Sequence, residues 1–281
     1  MSFIVIESSD DLNYLNKELL QRNLLGIDTE FKRFNKDKII LSLIQVNDSE
    51  ETFLIDCLSI GKDSSNASFL FSDGVKKIFH SFREDFEAIF SWTKERTQNI
   101  FDTQLANAFL GGKFSVGYKE LVFEKLGVSV DKEETRSNWT TRPLRDAQLV
   151  YAASDVEFLI DLFHNQNKEL SLNNKIDWYF EQQLINERNL LLSDPKGTLD
   201  SYIKINKKLE RKYLLILGKH INDLAHDHKI NPTLLFSKKD QKDFLREVFS
   251  FGVKAALNGL PRWKMKILSN TIQLIQFDKH E

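Results

Sequence analysis

Four acids and one phenol carry the chemistry that this sequence offers. Asp28 and Glu30 stand two apart at the end of the apolar run Leu24, Leu25 and Ile27. That run predicts a buried strand, and side chains two apart on a strand share a face. Two carboxylates held side by side repel and shift each other's pKa unless a cation neutralises them. Hard oxygen ligands of this kind suit Mg²⁺ or Mn²⁺. An isolated Asp-x-Glu also fits a solvated strand end, so its companions decide the reading. Three accompany it: His80 to Asp85, where a short strand gives way to a helix, Phe101 to Gln104, and Tyr151 to Asp155. Tyr151 and Asp155 are four apart in a predicted helix and so lie on one face, where both could meet a single water at an ion.

The elements that must position these groups read as follows. Residues 3–6 predict a first strand and 11–23 a helix capped by Ser8 to Asp11. Strands are expected over 24–31, 39–46 and 52–55, a mixed-sheet opening. A polar loop with a short helix follows between 61 and 72. A short strand over 77–79, a helix over 83–92, a strand running into a helix over 104–110, and a helix over 118–126 closed by Gly127 come next. Residues 130–141 are polar and read as irregular, with Trp139 exposed or half-buried. A helix is expected from Pro143, with 147–163 unbroken, and another over 178–192. Asp194 to Gly197 punctuates the chain as a boundary. Beyond it the pattern is helical, over about 199–209, 210–228, 238–250 and 263–275.

With 281 residues, the chain is long enough for one large domain or two ordinary ones. Cys57 is the one cysteine, so no disulfide partner is expected and a reducing compartment fits. The start, Met1 to Asp11, lacks the basic segment and long apolar run of a secretory signal. No stretch is apolar enough for a membrane span, and a cytoplasmic location is expected. From Asp200 onward there are 16 Lys and Arg against 9 Asp and Glu, a net +7, while the preceding residues carry −9. An acidic first part and a basic last part suit a polyanion held at one end and cations at the other. Chance scatter of surface charge is the plainer explanation.

The chain resembles ribonuclease D and the wider DEDD 3′→5′ exonuclease family, in its tyrosine-bearing branch. The matching residues are Asp28 and Glu30, His80 with Asp85, and Tyr151 with Asp155; the run from Asp131 to Leu144 also looks like a ribonuclease D signature. The resemblance covers about 3–170 strongly. It extends more weakly to the C-terminal helices, which look like a single HRDC-type nucleic-acid-binding domain. Better-known ribonuclease D enzymes carry two such domains, and this chain has room for one. The resemblance implies a ribonuclease H-like mixed sheet flanked by helices over 1–170, a connecting helix and linker over 171–197, and an all-helical HRDC-like domain over 198–281. It further implies that Asp28 bridges two divalent ions, Mg²⁺ or Mn²⁺, with Glu30 and Asp155 completing one site and Asp85 helping to hold the other. Tyr151 would orient the attacking water. Four carboxylates from distant segments fit such a two-metal phosphodiester site.

The implied function is 3′→5′ exoribonuclease action on transfer RNA precursors and other structured RNAs by a monomer. A DNA 3′→5′ exonuclease and a catalytically inactive RNA-binding protein are the alternatives. His80 is expected as a hydrogen-bonded core histidine rather than a ligand. Asp102 fits an N-cap as well as a family position, and Gln45 is expected to satisfy local backbone. Arg136, Trp139 and Arg142 either contact RNA phosphate and bases or pack the irregular loop. Lys207, Lys208, Arg211 and Lys212 near a helix start, and Arg262, Trp263 and Lys264, are candidate RNA contacts or a solvated face.

Overall fold

The computed structural model describes residues 2–35, 38–61, 66–130, 137–191, 203, 205–269, 272, 275 and 277. Arg136, the polar stretch around it and the expected boundary at 194–197 lie outside the described residues. The chain divides into two units: Met1–Gln104 with Val116–Lys168, and Leu105–Ser115 with Glu169–Glu281.

The first unit is built on a six-stranded mixed sheet. Its elements are β1 (Ile4–Ile6), α1 (Ser9–Leu19), β2 (Leu24–Asn35), β3 (Lys38–Asn47), β4 (Thr52–Asp56), α2 (Cys57–Ile60), β5 (Lys76–Phe79), α3 (Arg83–Thr93), β6 (Ile100–Asp102), α4 (Thr103–Phe109), α5 (Tyr118–Leu126), α6 (Asp146–Ser154) and α7 (Leu159–Leu172). Strand order is β1-β4-β3-β2-β5-β6. β2 pairs antiparallel with β3 and, over Leu24–Gly26, parallel with β5, which makes its first half interior; its last four residues are exposed. Leu25 and Ile27 are fully buried on the face opposite Gly26, Asp28 and Glu30.

Gly26 shows why that second face needs a small residue. A Cβ there would stand 3.0 Å from the Leu159 Cβ and 3.1 Å from the Val156 carbonyl, so the start of α7 can approach β2 closely only over a glycine. The same face carries Leu43 and Leu54, which pack with Trp139, Ala152 and Ala153. Val116, Leu121, Val122 and Leu162 form a second cluster between α5 and α7.

One expectation is corrected here. Residues 147–163 are not a single helix: α6 ends at Ser154 and α7 begins at Leu159. No proline or glycine marks this break. It is held by a residue from another element, because the Phe158 N–H donates to the Tyr118 hydroxyl at 3.0 Å and that hydroxyl donates to the Ser154 carbonyl at 3.3 Å. A distant phenol thus satisfies the backbone groups that a helix would otherwise pair internally.

The second unit is helical: α8 (Ile176–Leu191), α9 (Lys207–Asp227), α10 (Pro232–Leu235), α11 (Lys238–Phe251), α12 (Val253–Asn258) and α13 (Arg262–Leu268). The expected break between 209 and 210 is absent, and α9 runs through it under an Asn206 cap. Leu209, Tyr213, Leu217, Ile221 and Leu224 recur at helical spacing and are buried. The segment Leu105–Ser115 belongs here by its packing. Phe109 lies 5.0 Å from Trp263, ring to ring, and the Lys175 ammonium donates to the Phe109 and Lys229 carbonyls at 2.8 and 2.7 Å. Among the described residues, no helix is long and apolar enough to cross a membrane.

Candidate active site

Strand alternation does what the spacing predicts: Asp28 and Glu30 lie on one face of β2. Asp155, the residue that caps α6 at the helix break, joins them. Ligand oxygens of Asp28, Glu30 and Asp155 all lie within 4.8 Å of one another. Asp85 comes from the first turn of α3 and stands beside this trio. Its carboxylate accepts a 2.6 Å hydrogen bond from Thr29, the residue between the two β2 acids. The charge of Asp85 reaches both Asp28 and Glu30 and disfavours their ionised forms. Tyr151 stands one turn before Asp155, and as neighbours the carboxylate raises the pKa of the phenol while the phenol lowers that of the carboxylate.

The electrostatics follow from burial and crowding. Burial, then the charges of Asp85, Asp155 and Glu30, raises Asp28 well above the ordinary carboxylate range. Burial, with Asp155 and Asp85, pushes Glu30 up to about 8. Burial takes Asp85 to about 7 against the pull of the Thr29 hydroxyl, and Asp155 to about 6 against the Lys119 ammonium. Four crowded acids whose ionised forms are all disfavoured lack positive charge, and a divalent cation would supply it. The donors are all carboxylate oxygens, which fits Mg²⁺ or Mn²⁺ and not a soft metal.

The supporting residues are placed by contacts the sequence did not announce. In the β2–β3 ladder the register shifts after Glu30, so that Leu43 and Leu41 face successive β2 residues and Ser42 is extra. Such a bulge re-aims the strand beside it. Ser42 is fully buried; its hydroxyl donates to the Trp139 carbonyl and accepts from Arg142 at 3.1 Å. Arg142 also grips Asp56 with two bonds of 2.5 and 2.8 Å, and this pairing lowers the Asp56 pKa despite burial. Trp139 packs in the Leu43–Leu54–Ala152–Ala153 cluster, its ring 6.1 Å from that of Tyr151.

Several expectations are corrected by these contacts. Trp139 is buried, not exposed, and has no face to offer a base; it backs Tyr151 instead. The Arg142 guanidinium is engaged by Asp56, Ser42 and the Trp139 carbonyl, so it is a clamp on the bulge. Trp263 is 1% exposed, stacked against Trp178 at 6.1 Å, and donates to Gln182 at 3.1 Å. Lys264 lies over the Phe236 and Trp263 rings, and burial lowers its pKa to about 8. Gln45 does not satisfy local backbone: neither its amide nitrogen nor its oxygen has a partner, although the residue is fully buried opposite Asp28. Its ladder neighbour Leu54 offers no polar group. Lys207, Lys208, Arg211, Lys212 and Arg262 are exposed.

Two histidine and aspartate readings fall on the structural side. His80 is held between the Thr103 hydroxyl at 2.8 Å and the Val116 carbonyl at 2.9 Å, and burial lowers its pKa. Asp102 accepts from the Gln104 N–H as a cap, and also from the Ser81 and Phe82 N–H groups at 3.1 Å. Ser81 has a positive φ of 68°, so this second role pins the strained turn that launches α3 and Asp85. Sequence reasoning missed Thr29, Ser42, Tyr118 and Lys119. Only Thr29 carried a signal, as a hydroxyl between two acids.

The comparisons with known proteins agree with this geometry. A family model described as 3′-5′ exonuclease matches residues 3–171. The chain is 34% identical over 180 residues to ribonuclease D of Shewanella sp., covering 64% of this chain and 46% of that one. It is 38% identical over 173 residues to ribonuclease D of Haemophilus influenzae, covering 62% and 42%. The chain therefore spans about half the length of these relatives. The crystal structure of Escherichia coli RNase D shares the fold, with a TM-score of 0.65 at 24% identity over 98% of this chain and 74% of that one. The matched stretch contains Asp28, Glu30, Asp85, Tyr151 and Asp155 and exceeds half of the chain, which belongs to the 3′-5′ exonuclease family.

Proposed function

We propose that this protein is a divalent-metal-dependent 3′→5′ exoribonuclease that releases 5′-mononucleotides and trims the 3′ ends of transfer RNA precursors and other structured RNAs. The observation that carries the reading is the meeting of Asp28 and Glu30, from the middle of β2, with Asp155, at the end of α6, within 4.8 Å. Asp28, Glu30 and Asp155 would hold one ion, and Asp28 with help from Asp85 a second. Mg²⁺ or Mn²⁺ bound there would supply the positive charge that ionises an attacking water and steadies the leaving 3′ oxygen.

The chain's own side chains do the rest. Burial, and then the nearby carboxylates, hold the Tyr151 phenol far above its ordinary pKa of 10. A neutral phenol in this place can orient a water by hydrogen bonding. The Thr29 hydroxyl fixes the rotamer of Asp85, and the Arg142 clamp on Ser42 fixes β3 at the bulge beside its pairing with Glu30.

RNA is favoured as substrate because the E. coli neighbour is described as an exoribonuclease involved in structured RNA processing. Degradation of a 3′-extended transfer RNA, read at nucleotide resolution against a matched DNA 3′ end, tests this. Stepwise shortening of the RNA in Mg²⁺ or Mn²⁺ is expected, with the DNA degraded more slowly because it lacks 2′-hydroxyls. Preference for the DNA end would overturn the RNA assignment.

The domain reading is an exonuclease domain over 1–170, a connecting helix and linker over 171–197, and an HRDC-type nucleic-acid-binding domain over 198–281, in a cytoplasmic monomer. Lys207 with Arg211, and Lys208 with Lys212, are exposed pairs four apart that give the start of α9 a basic face. Changing all four to Gln is expected to weaken RNA binding and to flatten its salt dependence. The log–log slope should fall by about 0.7 for each phosphate that the variant no longer neutralises. Equal slopes for variant and wild type would remove this face from the binding surface. Point changes are the cleaner test, since deleting the C-terminal helices would strip Trp263 from Phe109.

A further inference from the structure

We infer that Lys119 is a positioning residue: a built-in counter-cation that holds Asp155 and Tyr151 in place and competes electrostatically with the divalent ion that Asp155 helps to bind. The inference rests on the metal-site reading above. Lys119 is the second residue of α5. Its ammonium lies 3.8 Å from the Asp155 Oδ1 and 4.5 Å from the centroid of the Tyr151 ring. The Lys119 side chain is only 14% exposed and that of Asp155 12%, so this is no solvated surface pair. One ammonium thus touches both members of the Tyr151–Asp155 pair, by charge on one side and by the ring face on the other.

The backbone around it is fixed. Tyr118, the preceding residue, places its hydroxyl in the α6–α7 break and bonds groups on both sides of Asp155, at Ser154 and Phe158. Val116, two residues earlier, accepts from the His80 ring and from the Gln104 amide at 2.9 and 2.8 Å. The start of α5 is therefore held against the site from both directions, and the lysine stem has little freedom to withdraw. The 3.8 Å separation is longer than a direct hydrogen bond, so it leaves the carboxylate lone pairs open to an ion.

Two consequences of opposite sign follow. The ammonium orders the pair, which favours turnover, and it repels any dication bound alongside, which weakens ion binding. A merely structural lysine would move both in the same direction when removed. A passive one would move neither.

The test is Lys119→Met in the full chain, with Mn²⁺ binding followed by electron paramagnetic resonance and single-turnover cleavage of an oligoribonucleotide at saturating Mn²⁺. Mn²⁺ should bind at least about threefold more tightly, the effect of removing one like charge beside a dication in a partly buried site. Cleavage should slow about tenfold, as the phenol and carboxylate lose their alignment. Lys119→Arg should return Mn²⁺ affinity to within about twofold of wild type, since it keeps the charge. Lys119→Gln repeats the titration with a polar side chain in case Met disturbs folding. Unchanged or weaker Mn²⁺ binding in folded variants would overturn the role of Lys119 while leaving the metal site standing. Wild-type protein that binds no Mn²⁺ would instead overturn the metal-site reading, and the inference with it.

Discussion

An Asp28→Asn chain will release mononucleotides at least about a thousandfold more slowly than wild type, a loss of ~4 kcal/mol at the transition state. Asp28 is the acid on which the others converge: Asp85, Asp155 and Glu30 all raise its pKa, and it lies on an interior strand of the sheet. No neighbour can replace an oxygen set in the β2–β3 ladder, where Asp28 pairs with Gln45. The fold should survive, because asparagine keeps the shape and removes one charge from a crowded set of four. The metal-free variant should melt no lower than wild type, since like-charge repulsion has been relieved. Rates at saturating Mn²⁺, with circular dichroism melting beside them, decide the matter. Undiminished release in a folded Asp28→Asn protein would remove these acids from the chemistry.

The second large effect concerns stability, pH and metal together. Without divalent ions the protein should lose stability as pH rises from about 5.5 to 8. Glu30 moves from 4.5 to about 8 on folding, Asp85 from 3.8 to about 7, and Asp155 from 3.8 to about 6. Between the unfolded and folded values the folded chain keeps protons that the unfolded chain has released. Stability therefore falls with pH, being fully present below about 4 and lost as pH passes through the folded values. His80 works against this trend, because burial lowers its pKa and its neutral form gains stability as pH rises through about 6.5. Glu30→Gln separates the two, since it removes the acid and leaves the histidine.

Added Mg²⁺ or Mn²⁺ should displace the protons and restore what pH removed. We expect a gain in melting temperature of about 5 °C or more at about pH 8, and a smaller one at about pH 5.5. In the Glu30→Gln chain the pH dependence should flatten and the metal-induced gain should shrink. A wild-type melting temperature that ignores both pH and divalent ions would mean that the carboxylates do not form a shared ion site.

Not all of this was legible in the chain. The face shared by Asp28 and Glu30 follows from the strand period alone. The local cap at Asp102 follows from short-range pattern, where a side chain meets backbone two residues away; sequence reasoning missed the Asn206 cap, which starts α9 inside the helix expected over 199–209. Within the run from Asp131 to Leu144, the sequence left RNA contact and loop packing both open for Trp139 and Arg142. The structure takes the packing alternative: both are turned inward, Trp139 against Tyr151 and Arg142 onto the bulge at Ser42. Composition marks an aromatic or a cation as available; only packing says whether it is already engaged.

The amino-acid order by itself determined which atoms could do chemistry, which strand would carry the first two acids, and that a basic helical stretch would follow an acidic α/β one. Those features are periodic or local, and their physical causes act within a few residues. Tertiary structure alone decided that α6 stops at Asp155, that Lys119 comes to rest against Tyr151 and Asp155, and that residues 105–115 pack with the C-terminal helices. Each depends on partners tens of residues away, brought together by burial of apolar faces. Hydrogen bonds and charges between such partners leave no periodic trace in a sequence.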